Sequence, residues 1–417
     1  MLKNGFVVLA DRLLENASVR IDEGLIEGII EDGNAVPADH EIDAGGLQLF
    51  PGFIDVHIHG AVGVDVNAAD TEGLVEIAKF LAANGVTAWV PTLVPDSDEN
   101  YARVIDAIDR LMAIQDGMPI AQAVGVHYEG VFANEKMCGA LRPEFFKRFT
   151  GDHSVAPTTP SAEAAATPPQ AGGEILLTHL LRKKGSQEIG LPRLKSGVHM
   201  MTLAPEVDGG IELIRELRRQ SWVVSIGHTK ADVDTLDAAF AVGAKHLTHF
   251  YNAMTGLHHR DVGVVGWALT KPDVTFDIIA DGVHVHPQIL EFACRSKSPD
   301  NVSLISDSVS PTGLGDGEYE IWGEKVSVVD GRTKNERGSI AGSVISMQDA
   351  VKRMLSLGFS AVEVAKMASL NPARLLGIDK NYGSIEVGKR ADLVGIDKDG
   401  NVKFVMVGGE VASSEVS

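Results

Sequence analysis

The sequence predicts an α/β protein, a (β/α)8 barrel of the TIM type with a small β-sandwich formed by the N- and C-terminal segments. Three observations carry that reading. Between residues 51 and 379, apolar runs of strand length alternate with helical patterns, as βα units around a parallel sheet do. Both ends differ in texture, with short β-like runs divided by Gly-containing turns. Polar residues able to do chemistry then fall at the C-terminal ends of successive predicted strands, where a barrel keeps its active site.

The β-like runs at the start are residues 6–9, 18–21 and 25–30, and no useful helix fits among them. Residues 383–388, 391–396 and 402–407 repeat the pattern at the other end. Since chain termini often lie together, residues 1–50 and 380–417 are expected to build one accessory domain beside a barrel domain at 51–379. Eight barrel strands are predicted, at 53–59, 88–94, 123–128, 199–204, 222–226, 246–250, 274–280 and 302–306. Helices are clearest at 71–84 and 232–242, where Gly85 and Gly243 follow as stops. A last helix at 361–369 precedes Asn371-Pro372, in which Asn371 is expected to cap and Pro372 to take the first helical position. Residues 151–173, rich in Ala, Pro and Thr, have too few large apolar side chains to pack, so a mobile exposed insertion is expected after the third strand.

Composition narrows the function. A chain of 417 residues with 44% hydrophobic content fills such a core, and its formal charge of −20 argues against nucleic acid or an anionic membrane as partner. An anionic substrate must therefore meet a local positive cluster. Two cysteines, Cys138 and Cys294, make no disulfide framework. No run approaches the roughly 18 apolar residues of a membrane span, and the first residues lack the pattern of an export signal. A soluble cytoplasmic protein is the expectation.

The first predicted strand contains His57 and His59, one residue apart. Side chains alternate along a strand, so the two face the same way and can grip one metal ion. Glu129 follows the third strand, His228 the fifth, His249 ends the sixth and Asp307 the eighth. Imidazole and carboxylate ligands suit Zn²⁺, Fe²⁺ or Mn²⁺, and without a Cys pair a thiolate site is excluded. Six such groups allow two metals, with Glu129 able to bridge them. Metal-acidified water and a carboxylate beside it can hydrolyse an amide. His258-His259-Arg260 reads equally as a phosphate site or a solvated loop, and His284 lies where it can join that anion site. His127, inside a strand, reads as a satisfied core histidine, while His40 and His153 read as exposed.

These motifs, in the order PGFIDVHIHG, HYEG, LAPE, SIGHT, THFYNAMTGLHHRDVG, IADGVHVHP, SDSVSPTGLGDGEY, GSIAGS and GSIEVGKRADLV, resemble the amidohydrolase superfamily. Within it the chain is similar to the N-deacetylases of hexosamine 6-phosphates over nearly its full length. The resemblance implies metal-dependent release of acetate from N-acetylglucosamine 6-phosphate in amino-sugar catabolism. It implies that Glu129, His228 and His249 hold the principal divalent ion, Zn²⁺ or Fe²⁺, that His57 and His59 recruit a second, and that Asp307 is general base and acid. Substrate contacts are implied at Ala140, Leu141, Asn252, Ala253, His284, Ile340, Ala341 and Gly342, and at Arg260, which would reach the phosphate held by the other subunit of a homodimer. Many members carry Glu-Gly-Pro and later Gly-x-His after the glutamate, whereas this chain has Glu129-Gly130-Val131 and Gly139-Ala140-Leu141. A dihydroorotase-like site is disfavoured, because the fourth strand offers no lysine as a metal bridge. An inactive scaffold on the same fold predicts eroded ligands, and none of the six is missing.

Overall fold

In the computed structural model, residues 1–31, 38–149 and 189–416 are described; the predicted insertion at 151–173 and His153 lie outside the described residues. The apolar runs become β1 (Phe53–Ile58), β2 (Val86–Leu93), β3 (Gly125–Phe132), β4 (Val198–Leu203), β5 (Val223–Ile226), β6 (His246–Leu247), β7 (Thr275–Ile279) and β8 (Val302–Ile305). Each pairs in parallel with the next. These strands are apolar on both faces because both are covered. Ile54, Val56, Ala88, Val90, Met200, Ile279 and Ile305 share one cluster, while Phe53, Trp89, Tyr128, Trp222 and Phe276 belong to the larger core that includes the helices. Each of the Val, Ile, Met and Phe side chains among them contributes about 1.5–3 kcal/mol by leaving water.

The ring is completed between β8 and β1 by separate bonds instead of a ladder. Asp307 N–H donates to His57 O at 2.9 Å, His59 N–H to Ser308 O at 2.8 Å, and Ser306 Oγ–H to Asp55 Oδ2 at 2.5 Å. Thus the seam joins the strand bearing the paired histidines to the strand ending in Asp307.

The helices start where side chains satisfy their free N–H groups. Asp70 accepts from Gly73 N at 2.9 Å ahead of Thr71–Ala83, and Asp232 from Thr235 N at 2.8 Å ahead of Val233–Ala241. Asn371 departs from expectation. Helix Ala361–Ala365 runs through a π turn, Lys366–Leu370, directly into Asn371–Leu376. The widened turn accommodates Pro372, which lacks an N–H, so no break and no cap is needed. The Asn371 amide instead donates to Pro299 O and Val302 O, both at 2.7 Å, and ties this helix to the start of β8.

Both chain ends enter one sheet, in the order Glu410–Ser414, Val402–Val407, Leu393–Ile396, Gln48–Pro51, Leu2–Val8, Leu13–Asp22, Leu25–Ile30, with Ile42–Asp43 beside Leu2–Val8. The sheet curls on itself, since Ala391 N–H donates to Gly24 O at 2.8 Å and Ile26 N–H to Lys389 O at 2.8 Å. Its inner face encloses a separate core of Leu2, Val7, Val19, Leu49, Leu393 and Phe404. Residues 383–388, expected as strand-like, form turns, where Ser384 Oγ–H bonds to Glu386 Oε1 at 2.5 Å. Among the described residues no helix is long and apolar enough to cross a membrane, and both cysteines are free.

Candidate functional site

At the C-terminal mouth of the barrel, His57, His59, Glu129, His228, His249 and Asp307 meet. Glu129 Oε1 lies 3.2 Å from His57 Nε2, 3.1 Å from His228 Nε2 and 3.0 Å from His249 Nε2, while Oε2 lies 3.1 Å from His59 Nε2. Asp307 Oδ1 is 3.2 Å from His59 Nε2 and 3.5 Å from His57 Nε2. All six are buried. His228, His249 and Asp307 lie just past their strands with φ of 48°, 32° and 49°, a left-handed backbone that costs roughly 1–2 kcal/mol per residue and is a recurrent mark of functional sites.

The donor set fits a divalent cation. Two groups of three, His57–His59–Glu129 and Glu129–His228–His249, each bring their ligand atoms within 4.8 Å of one another. The Nε2 atoms of His57 and His59 are 3.2 Å apart and those of His228 and His249 3.1 Å apart. Imidazole lone pairs that face each other repel unless a proton or a cation lies between them. Tetrahedral ligands about 2.05 Å from zinc stand roughly 3.3 Å apart, close to these separations.

The surroundings orient the rings. His57 Nδ1 is 2.8 Å from Thr248 Oγ1, whose hydroxyl is 3.3 Å from the buried Asp277 carboxylate. His228 Nδ1 is 2.9 Å from Met137 O. Such partners fix the tautomer that leaves Nε2 as the ligand atom. Burial disfavours charge on His59, yet hydrogen bonds to Asp307 and Glu129 lift its pKa to about 10, and burial opposed by Glu129 leaves that of His249 at about 9. Burial likewise pushes the carboxyls up, but His57 and the other imidazoles outweigh it, holding Glu129 well below and Asp307 below the ordinary range. Two ionised carboxylates in this pocket hold positive charge beside them, as protons on His59 and His249 or, when those protons leave, as a divalent cation. His127 is buried and neutral, its pKa pulled well below the usual value by desolvation, with its ring nitrogens 2.8 Å and 3.3 Å from Thr202 and Thr92 hydroxyls.

A cavity of about 310 Å³ opens over this cluster. Ala140, Leu141, Asn252, Ala253, His284, Ile340 and Gly342 line it. His284 Nδ1 is held 2.6 Å from Asp281 Oδ2, which leaves Nε2 as its free nitrogen. A Cβ on Gly342 would stand 2.6 Å from Val309 Cγ1 and 2.9 Å from Asp307 O, so only glycine lets this segment lie so close to Asp307. Ala341 packs behind the wall with Val309, Ile321 and Val326. Arg260 lies outside the cavity on an exposed loop, Nη1 2.7 Å from His259 Nε2.

Gly139 and Ser339, which belong to quoted stretches but are not predicted as contacts, also line the cavity, as does Trp322, which the sequence reading does not single out. Trp322 sits on an antiparallel sheet of Gly317–Ile321, Glu324–Val329 and Arg332–Asn335 that follows β8. Its ring meets His59 edge-on, centroids 5.2 Å apart. The signal for it was a Trp-Gly pair between two strand-like runs, the place of a two-residue hairpin turn.

The amidohydrolase family model matches residues 48–412. An N-acetylglucosamine-6-phosphate deacetylase of Bacillus subtilis (strain 168) is 32% identical over 415 residues, covering 99% of this chain and 96% of that protein. An N-acetylgalactosamine-6-phosphate deacetylase of Escherichia coli O157:H7 is 34% identical, covering 96% of each. Among solved structures, N-acetylglucosamine-6-phosphate deacetylase from Pasteurella multocida superposes with a TM-score of 0.83 at 26% identity, covering 98% of each chain.

Proposed function

The chain belongs to the amidohydrolase family, and from that premise we propose that it hydrolyses the N-acetyl group of N-acetylglucosamine 6-phosphate, giving glucosamine 6-phosphate and acetate in amino-sugar catabolism. The observation that carries the reading is Glu129 shared between two histidine pairs, with Asp307 beside them, under a cavity of the right size for a sugar. Glu129, His228 and His249 would hold the principal ion, and His57 with His59 a second; Zn²⁺ and Fe²⁺ are the proposed metals. When bound, such an ion supplies Lewis acidity that polarises the amide carbonyl and acidifies water.

Asp307 does the proton work. Its carboxyl, held below the ordinary range, is ionised at neutral pH and takes the proton of the attacking water at Oδ1. It then passes that proton to the amine as the C–N bond breaks. Asn252, Ala253, His284 and the backbone at Ile340, Ala341 and Gly342 bind and orient the sugar. Arg260, exposed on its loop, is proposed to meet the phosphate bound by the other subunit of a homodimer, and the enzyme to work in the cytoplasm.

The test is acetate release from N-acetylated hexosamines in gluco and galacto configuration, each with and without the 6-phosphate. A preference for N-acetylglucosamine 6-phosphate supports the proposal, and no release from any member overturns it. Preference for the galacto sugar would correct the substrate and keep the reaction.

A further inference from the structure

We infer that Trp322 and Leu141 form an acyl-binding wall that confines the reaction to the acetyl group. This deepens the deacetylase reading and rests on it. An amide at the centre carries three substituents, the carbonyl oxygen, the nitrogen with its sugar, and the acyl carbon chain. The oxygen belongs at the ligand cluster. The sugar, with its hydroxyls, needs partners that hydrogen-bond, and Asn252 and His284 supply them on one part of the lining. What is left for the methyl group is the apolar part beside His59 and Glu129, where Leu141 and Trp322 share one hydrophobic cluster.

That wall is close and well held. Leu141 seats against the residue after Glu129, since a Cβ on Gly130 would fall 2.2 Å from Leu141 Cδ1. Its loop is fixed from two sides, by Arg337 Nη2 donating to Ala140 O at 3.1 Å and Arg142 Nη2 to Pro95 O at 2.9 Å. Trp322 stands in a conformation that a bulky residue rarely takes. The two turns of its sheet, Trp322-Gly323 and Asp330-Gly331, both have positive φ, 52° and 81° in the first, 50° and 70° in the second. Asp-Gly adopts that turn readily, whereas Trp does not. The indole therefore occupies a place the hairpin itself does not favour, and the place is over the ligand cluster.

The test compares kcat/KM for N-acetyl, N-propionyl and N-butyryl glucosamine 6-phosphate in the metal-loaded wild type, Trp322→Gly and Leu141→Ala. Trp322→Gly leaves Gly-Gly, a pair suited to the turn, so the hairpin is expected to fold. The butyryl-to-acetyl ratio should rise about tenfold or more in either variant, the scale on which pockets discriminate methylenes. An unchanged ratio, with KM raised alike for all three substrates, would overturn the wall and assign the indole to the sugar. If Trp322→Gly fails to fold by circular dichroism, Leu141→Ala decides by the same ratio. Wild type that cleaves no member of the series removes the deacetylase reading and this inference together, whereas an unchanged ratio in an active enzyme removes only the inference.

Discussion

The two histidine pairs share Glu129 but are built by different parts of the molecule. His57 lies near the end of β1 and His59 just past it, and His57 is fixed by Thr248, which follows β6, and through it by Asp277 of β7. His228 and His249 lie past their strands on left-handed backbone, and His228 leans on a loop, through Met137 O and through Asn134 N–H donating to His228 O at 3.1 Å. Glu206 clamps that arrangement, accepting from Asn134 Nδ2 at 2.8 Å, Thr229 Oγ1 at 2.5 Å and Lys230 N at 2.8 Å. The lesson is one of coupling. His57 is held through Thr248 by Asp277, whose carboxylate also accepts from His249 N–H, while His228 is tied to the loop that also walls the cavity.

Four variants break or sharpen the contrast. Glu129→Gln, which strikes both pairs, should leave almost no metal after dialysis and cost more than the ~10⁴-fold loss of a missing general base; elemental analysis showing one full equivalent would end the shared-ligand reading. Asp307→Asn should lower kcat by about 10²–10⁴-fold while metal content stays near that of wild type. Wild-type acetate release by that variant would remove Asp307 from its role. Thr248→Val should weaken the His57–His59 pair by about 10–100-fold, read as one of two metal equivalents lost first to a chelator. Equal loss from both pairs would mean that they are not independently supported. Glu206→Gln should do the mirror-image thing more mildly, about 3–10-fold at the His228–His249 pair, and an effect confined to His57–His59 would contradict the clamp.

Much of this architecture is legible without coordinates, for reasons that differ by region. Burial on both faces makes barrel strands read as apolar runs, and alternation makes His57 and His59 a pair. His228, His249 and Asp307 are legible from their place after a strand. Asp277 and Thr248 are not, because a supporting residue carries no spacing rule of its own. Trp322 belongs to a hairpin with Glu318, Glu320 and Lys325 on its strands, and such polar strands look like any surface excursion. Asn371-Pro372 misleads because the pair also suits a helix start, and only packing against β8 decides for a continuous helix.

The curled sheet also imposes a schedule on synthesis. Gln48–Pro51 pairs with Leu393–Ile396, so one side of an apolar strand made early must wait on the ribosome for ~340 further residues, roughly 20–70 s at ordinary elongation rates. During that interval the nascent edge can join a neighbouring chain as easily as its own. Cutting the message short between Asp307 and Leu393 would make that exposure permanent, so truncated products should go to the aggregate fraction even though every proposed metal ligand has already been translated.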